Sequence, residues 1–442
     1  MESPPNPNEE FADASNHWDL QRLYADLASA KQEVASRPTR GLTAVEKLHL
    51  CGLLCGCSPA EIARRLHKDA RGVEAELSAT LYRYIKTLTG KKLNSWQDIV
   101  PWLEAAGYRK SSPQRYYDWE KAPDVSLFYG RTGELAALKQ WVVGDKCRLV
   151  AIYGTGGIGK TSLAAKLAQQ IQNEFECVIW RSLSNAPPRA QLLASLLGFL
   201  SDRQPPQTTL SDLLDFLRTH RTLVILDGVE NLMAAGQFVG KYREGYQDYT
   251  ELFKVAGLSD HISCFLLAST EKSREIAIWE GNRNPVRSLQ LKGLEKPAAW
   301  EILRERDLVE EAEWANLIDR YGGHPLALRI VAATIKDVFA NKSSVFLRET
   351  TFLGDIREVL AQQFQRLSEL EKKVMYQLAL SREPVSRTGL REGISSYVSC
   401  EELTEALKSL GWRSLIETVT EDGEALFTLL PAVRKYVINQ NS

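Results

Sequence analysis

Five short apolar runs, at residues 149–153, 177–180, 222–226, 264–268 and 288–291, are separated by longer stretches in which apolar residues recur at helical spacing. None of the five alternates strictly between apolar and polar side chains, which is the pattern of parallel strands buried on both faces. Strands alternating with helices in this way predict a doubly wound α/β domain over residues 127–292, a parallel sheet with helices on both faces. Beyond it the strand signals stop. A helical segment is expected over 293–350, and a mostly helical block over 351–442 whose end reads as a hairpin, 415–420 and 425–430 around Glu421-Asp422-Gly423. Upstream, residues 1–16 are rich in Pro, Asn and acidic residues and read as a disordered tail. Trp18, Leu20, Leu23 and Leu27 place a helix after it, closing a first region over 1–36. An all-helical block follows over 37–112, and a polar, Pro-containing stretch over 113–126 reads as a linker.

A length of 442 residues predicts two to four domains, and 44% apolar with 25% charged residues excludes a mostly disordered or collagen-like chain. Lys plus Arg number 55 against 56 Asp plus Glu, so net charge gives no argument for a nucleic-acid or membrane partner; only local charge can. No apolar run approaches the ~20 residues that cross a bilayer, and the N-terminus, Met1-Glu2-Ser3-Pro4-Pro5, lacks the basic and apolar regions of a secretory signal. Seven cysteines at irregular spacings read as reduced thiols, so a cytoplasmic protein without a membrane partner is expected.

The sharpest chemical signal is Gly154-Thr155-Gly156-Gly157-Ile158-Gly159-Lys160-Thr161-Ser162, directly after the first apolar run and before a helical pattern starting at Thr161. This is the phosphate-binding loop G-x-x-x-x-G-K-[ST] in its proper strand-to-helix setting. Glycines let the backbone turn its N–H groups inward on phosphate, and the helix start adds its positive dipole end. Lys160 is expected on the β- and γ-phosphates and Thr161 on Mg²⁺. Asp227, closing the run Thr222-Leu223-Val224-Ile225-Leu226, supplies the second oxygen ligand for the metal. Gly228 stands where a second acid usually follows, and the next acid is Glu230, read either as the residue that orients the attacking water or as a solvated turn residue. Nucleotide binding is therefore expected more firmly than turnover.

In their order these motifs resemble the NB-ARC class of STAND signalling NTPases, relatives of plant resistance proteins and apoptotic adaptors, over about 127–439. Phe128-Tyr129-Gly130-Arg131 is similar to the element ahead of the loop that holds adenine, which implies a base contact for Tyr129, Gly130 and Arg131. Tyr321-Gly322-Gly323-His324-Pro325-Leu326 resembles the Gly-x-Pro element of the helical subdomain, implying that Pro325 packs on the base. The block from Gln363-Phe364-Gln365-Arg366 onward resembles the winged-helix subdomain, which in the family closes over ADP and opens on exchange for ATP. Three features depart from the family. Ala268 and Thr270 stand where relatives carry a Thr and an Arg that sense the γ-phosphate, Leu430-Pro431-Ala432-Val433 replaces a His-Asp pair, and the sequence stops at Ser442 without sensing repeats. Sensing is then expected from the N-terminal block, from a partner, or not at all.

Within that N-terminal block, Ser58 can cap a short helix bearing Ile62, Ala63 and Leu66, followed by a tight turn and a helix with Val73, Leu77, Leu81 and Ile85 on one stripe. This is similar to the helix-turn-helix at the front of many bacterial, especially cyanobacterial, STAND proteins. Between residues 37 and 115 there are 14 Lys/Arg against 7 Asp/Glu, the footprint of a phosphate-backbone binder. Arg64, Arg65, Lys68 and Arg71 are the candidate contacts to DNA or to a protein partner; Glu74 and Glu76, near the start of the second helix, would repel phosphate. Cys51, Cys55 and Cys57 lie in an apolar helical setting without a C-x-x-C pair and read as buried thiols rather than a zinc site. Trp18, Trp96, Trp102, Trp300 and Trp412 read as core.

Together these readings give an ATP/ADP-dependent molecular switch with slow or absent hydrolysis, using Mg²⁺ and a protein partner, with oligomerisation on activation. The alternative is a nucleotide-gated transcription regulator acting on DNA through the helix-turn-helix, and after it a P-loop kinase or transport ATPase.

Overall fold

The computed structural model describes residues 11, 14, 17–35, 41–109, 115–200, 208–349, 354–381, 383–394 and 398–440. They form two compact units, 1–114 and 115–442. Most of the tail placed at 1–16, and the stretch 110–114 around the start of the linker, lie outside the described residues.

The first unit is built of helices Leu20–Val34, Ala44–Leu54, Pro59–Arg65, Ala70–Ala79, Leu81–Thr89 and Ile99–Ala105. The Thr43 and Ser58 hydroxyls accept the N–H groups of Glu46 and Glu61, whose carboxylates in turn accept the N–H groups of Thr43 and Ser58, a reciprocal arrangement that satisfies two otherwise orphaned N–H groups at each helix start. Leu23, Leu27, Leu50, Ile62, Val73, Leu77, Leu81 and Ile85 fill one core. The sequence placed the last four on a single helix; the structure divides it at Thr80, whose φ of −122° and ψ of −92° leave the helical region. Phe11 and Ala14 are buried in the same core, so the reading of 1–16 as wholly disordered fails at those two residues. Of the cysteines read as core, Cys57 is buried, Cys51 half-buried and Cys55 exposed. Of the five tryptophans read as core, Trp18 is buried, Trp96, Trp102 and Trp412 are half-buried, and Trp300 is 40% exposed.

The second unit contains a six-stranded parallel sheet: β1 (Tyr116–Asp118), β2 (Leu149–Tyr153), β3 (Cys177–Ser182), β4 (Thr222–Asp227), β5 (Cys264–Ser269) and β6 (Val286–Gln290), in the order β1-β3-β4-β5-β2-β6. Side chains of successive residues go to opposite faces, so β4 sends Leu223 and Ile225 into one core and Val224 and Leu226 into another. All five apolar runs are strands. β1 corrects the linker reading: Tyr116–Asp118 pairs with Cys177–Ile179 as an edge strand, and its polar, half-exposed residues gave no apolar signal. The order places β5 between β2 and β4, with Asp227 opposite Ala268 and Ala268 opposite Ile152. The ends of three strands therefore converge where β2 enters the glycine-rich loop.

Past β6, helices Lys296–Glu305, Trp314–Tyr321, Pro325–Val338 and Ser343–Glu349 precede helices Gly354–Gln365, Glu369–Leu380, Arg387–Ile394, Cys400–Trp412 and Pro431–Gln440. The sequence divides these at residue 350, but Leu328, Val331, Leu360, Val374, Leu410 and Val437 belong to one continuous core. The hairpin is β8 (Ile416–Glu421) and β9 (Glu424–Leu429), preceded by β7 (Val385–Ser386), which pairs with β9. Its loop is Asp422-Gly423 with both φ angles positive (48° and 81°), the two-residue geometry that matches strand twist.

Candidate phosphate-binding site

Between β2 and the helix Lys160–Ile171 the chain turns through Gly154–Gly159, and Gly159 enters the helix at φ 102°, a conformation that disfavours any side chain. No side chain caps this helix, so its first N–H groups remain available to an anion. Gly157 also has a positive φ, 77°, and a Cβ there would lie 2.6 Å from Leu326 Cδ2. The helix beginning at Pro325 thus packs directly on the loop.

Lys160 is buried, and its Nζ donates to the carbonyls of Gly154 (3.0 Å) and Thr155 (2.8 Å). Burial lowers its pKa to about 8, against the opposing pull of Glu230 and Asp227. The Thr161 hydroxyl donates to Asp227 Oδ1 at 2.9 Å across the sheet end. Burial raises the Asp227 carboxyl above its ordinary value, and the Glu230 charge adds to this. Two adjacent oxygen donors on a half-buried carboxylate and a hydroxyl suit a hard cation, so these residues fit Mg²⁺. Glu230 lies on the single helical turn Val229–Leu232, and its Oε2 accepts the Thr270 N–H at 3.1 Å. It is half-buried there.

A cavity of about 280 Å³ opens on this loop, lined by Tyr129, Arg131, Pro325 and residues 157–162 together with Leu127, Phe128, Leu294, Ile302, Leu326 and Arg329. It brings Tyr129, Arg131 and Pro325, expected at the base, into one space with the loop, whereas Gly130 packs against Ala298 outside that lining. Arg131 lines the cavity, and its guanidinium donates to Glu134 (2.8 Å), Ile158 O (3.2 Å), Lys292 O (2.7 Å) and Gly293 O (3.4 Å), so it ties the loop to the segment after β6. Arg64, Arg65, Lys68 and Arg71 lie in the first unit, all exposed. Arg65 stacks over Phe11 and Lys68 pairs with Glu76 at 3.7 Å.

Two residues were missed by the sequence reading. Arg329 lines the cavity with a buried Nε that has no bond. His324 bonds through Nε2 to Gly156 O at 2.9 Å, while its Nδ1 accepts the Ala327 N–H at 3.3 Å. That network assigns the proton to Nε2. The bond spans 168 residues, beyond the reach of any local pattern. Burial lowers the His324 pKa to about 4. Since the folded value lies below the ordinary 6.5, the unfolded chain takes up the proton first. Stability is then lost as pH falls from about 6.5 towards 4, by ~2 kcal/mol at pH 5. Burial lowers His49 and His261 as well, so urea unfolding at pH 7 and pH 5 is expected to show a loss in both proteins that is smaller by ~2 kcal/mol in His324→Gln than in the wild type; an equal loss in both would remove His324 as a source.

The NB-ARC domain family model matches residues 131–235. A WD repeat-containing protein of Nostoc sp. is 43% identical over 349 residues, 74% of this chain. Disease resistance protein RGA5 of Oryza sativa subsp. japonica is 34% identical over 104 residues, 21% of this chain. The chain spans 27% of the length of the Nostoc protein and 9% of the rice protein. Among solved structures, a Walker-type ATPase of Pyrococcus abyssi superposes with a TM-score of 0.51 at 16% identity, covering 73% of this chain and 99% of its own, which shows a common fold.

Proposed function

Residues 131–235 are an NB-ARC domain, and from that premise we propose that the protein is an ATP/ADP-binding switch of signal transduction with slow hydrolysis. One observation carries this reading: a single cavity joins the phosphate loop to Tyr129 on one element and Pro325 on another. A ligand held there makes contacts that depend on how those elements are arranged, and only differential contacts shift a conformational equilibrium. Lys160 would leave its loop carbonyls for the phosphates, and the N–H groups from Gly157 to Thr161 would cradle them. Thr161 and Asp227 would hold Mg²⁺, which when bound neutralises phosphate charge. Tyr129 and Pro325 provide flat apolar surface for adenine.

For turnover, Glu230 accepts the proton of a water whose oxygen forms a bond to the γ-phosphorus. The bond from that phosphorus to the bridging oxygen breaks, and its electron pair leaves with ADP. Removal of this base is expected to slow phosphate release about 100-fold in Glu230→Gln. Phosphate release at saturating ATP checks it; a wild-type rate in that variant would return Glu230 to a structural role.

The first unit we read as a helix-turn-helix that docks a protein partner. Support comes from the capped helices Pro59–Arg65 and Ala70–Ala79 and from exposed Glu74 and Glu76 on the second of them, unfavourable against DNA phosphates. Residues 369–440 we read as a winged helix, four helices with the β7-β9-β8 sheet. No helix among the described residues is long and apolar enough to cross a membrane.

A further inference from the structure

Glu230 is held at two points. Its carboxylate accepts the Thr270 N–H, and the carbonyl end of its helical turn is capped by Arg366, whose Nη2 donates to Glu230 O at 2.9 Å and Met233 O at 3.3 Å. The same guanidinium donates through Nε to Glu271 Oε1 at 2.6 Å, and Glu271 is the neighbour of Thr270. One side chain therefore cross-ties the two backbone segments between which the Glu230 carboxylate sits. The Arg366 carbonyl adds a bond from the Gly236 N–H at 2.8 Å. Its anchor is itself fixed from behind: Arg413 donates to Glu271 and, through Nε, to Glu371 at 3.1 Å, and all three are buried.

Arg366 comes from the junction of helices Gly354–Gln365 and Glu369–Leu380, far along the chain from the phosphate loop. The same helix end also reaches that loop. Gln363 is buried with its Oε1 unbonded, and this atom lies 4.0 Å from where a Cβ on Gly156 would stand.

We propose that Arg366 is a positioning residue for Glu230, so that the C-terminal segment sets the geometry of the hydrolytic base. This rests on the reading of Glu230 as that base. Arg366 acts through the Glu230 turn and touches no substrate. Its loss should lower kcat and leave nucleotide affinity in place.

The test uses the full chain with Mg²⁺, following phosphate release at saturating ATP and calorimetric affinity for ADP. Arg366→Ala is expected to lower kcat at least tenfold with the ADP Kd within threefold of wild type. Arg366→Lys, which keeps the charge against Glu271 but not the fork of donors, should fall between, and millimolar guanidinium should restore part of the Arg366→Ala rate. The double variant Glu230→Gln/Arg366→Ala should be no slower than Glu230→Gln alone. If Arg366→Ala does not fold, Arg366→Lys decides by the same kcat-against-Kd split. A slow Glu230→Gln beside wild-type kcat in the Arg366 variants overturns the positioning role, as does multiplicative slowing in the double variant. A wild-type rate in Glu230→Gln, or no phosphate release from the wild type, overturns the reading of Glu230 on which the proposal rests.

Discussion

Lys160→Ala is expected to leave the protein unable to retain nucleotide while its fold stays intact. In the structure the Lys160 ammonium bonds only to two carbonyls of its own loop. Truncation therefore breaks no direct bond to a carboxylate, Asp227 keeps its bond from Thr161, and both carbonyls can be satisfied by water entering the cavity. The loss falls on the ligand. Two charge-assisted contacts to phosphate, each ~1.5–3 kcal/mol, amount to at least ~100-fold in affinity. Wild-type and mutant protein, purified alike and then denatured, should differ in released nucleotide, stoichiometric from the first and absent from the second, with matching far-ultraviolet circular dichroism. Stoichiometric ADP from the mutant would contradict the role given to Lys160.

Arg413→Ala should have the largest effect on stability, about 3–5 kcal/mol, because it takes the guanidinium from two buried carboxylates, leaving Glu271 with Arg366 alone and Glu371 with only the neutral donors of Ser368 and Ser409. Arg413 is 2% exposed, bonds to Glu271 and Glu371, and donates to Gln237 O at 2.8 Å. Glu271 already carries a buried, unbonded Oε2, so losing the guanidinium deepens an existing deficit. Lys336→Ala is the contrast. Its pair with Asp307 is formed by side chains 48% and 78% exposed, so solvent screens it and the change should stay within ~0.5 kcal/mol. Urea unfolding of both variants measures the difference; equal midpoints would mean that the buried network contributes no more than a surface pair.

The parts of this structure legible in the sequence are those written in local pattern. Continuous apolar runs such as Val224-Ile225-Leu226 mark strands because both faces of the sheet are buried, and Asp422-Gly423 marks its hairpin through backbone conformation alone. The phosphate loop is legible because its glycines and its Lys-Thr pair sit at fixed spacing. β1 was not, since an edge strand needs no apolar run, and neither was the break at Thr80, where the apolar stripe continues across two helices. His324 and Arg366 escaped for a different reason. Each acts through bonds to backbone carbonyls more than a hundred residues away, and a carbonyl has no sequence signature. Arg131 was found by motif, but its guanidinium is spent on Ile158 and Lys292, a use that only the folded chain reveals.

Calorimetric titration of the purified full chain, stripped of ligand, with ADP and with ATP in Mg²⁺ buffer tests the central claim most directly. The expected result is saturable heat at one site per chain for both nucleotides, lost in Lys160→Ala. No heat with either nucleotide, in protein that unfolds cooperatively, would contradict the assignment of the Gly154–Thr161 loop as a nucleotide site.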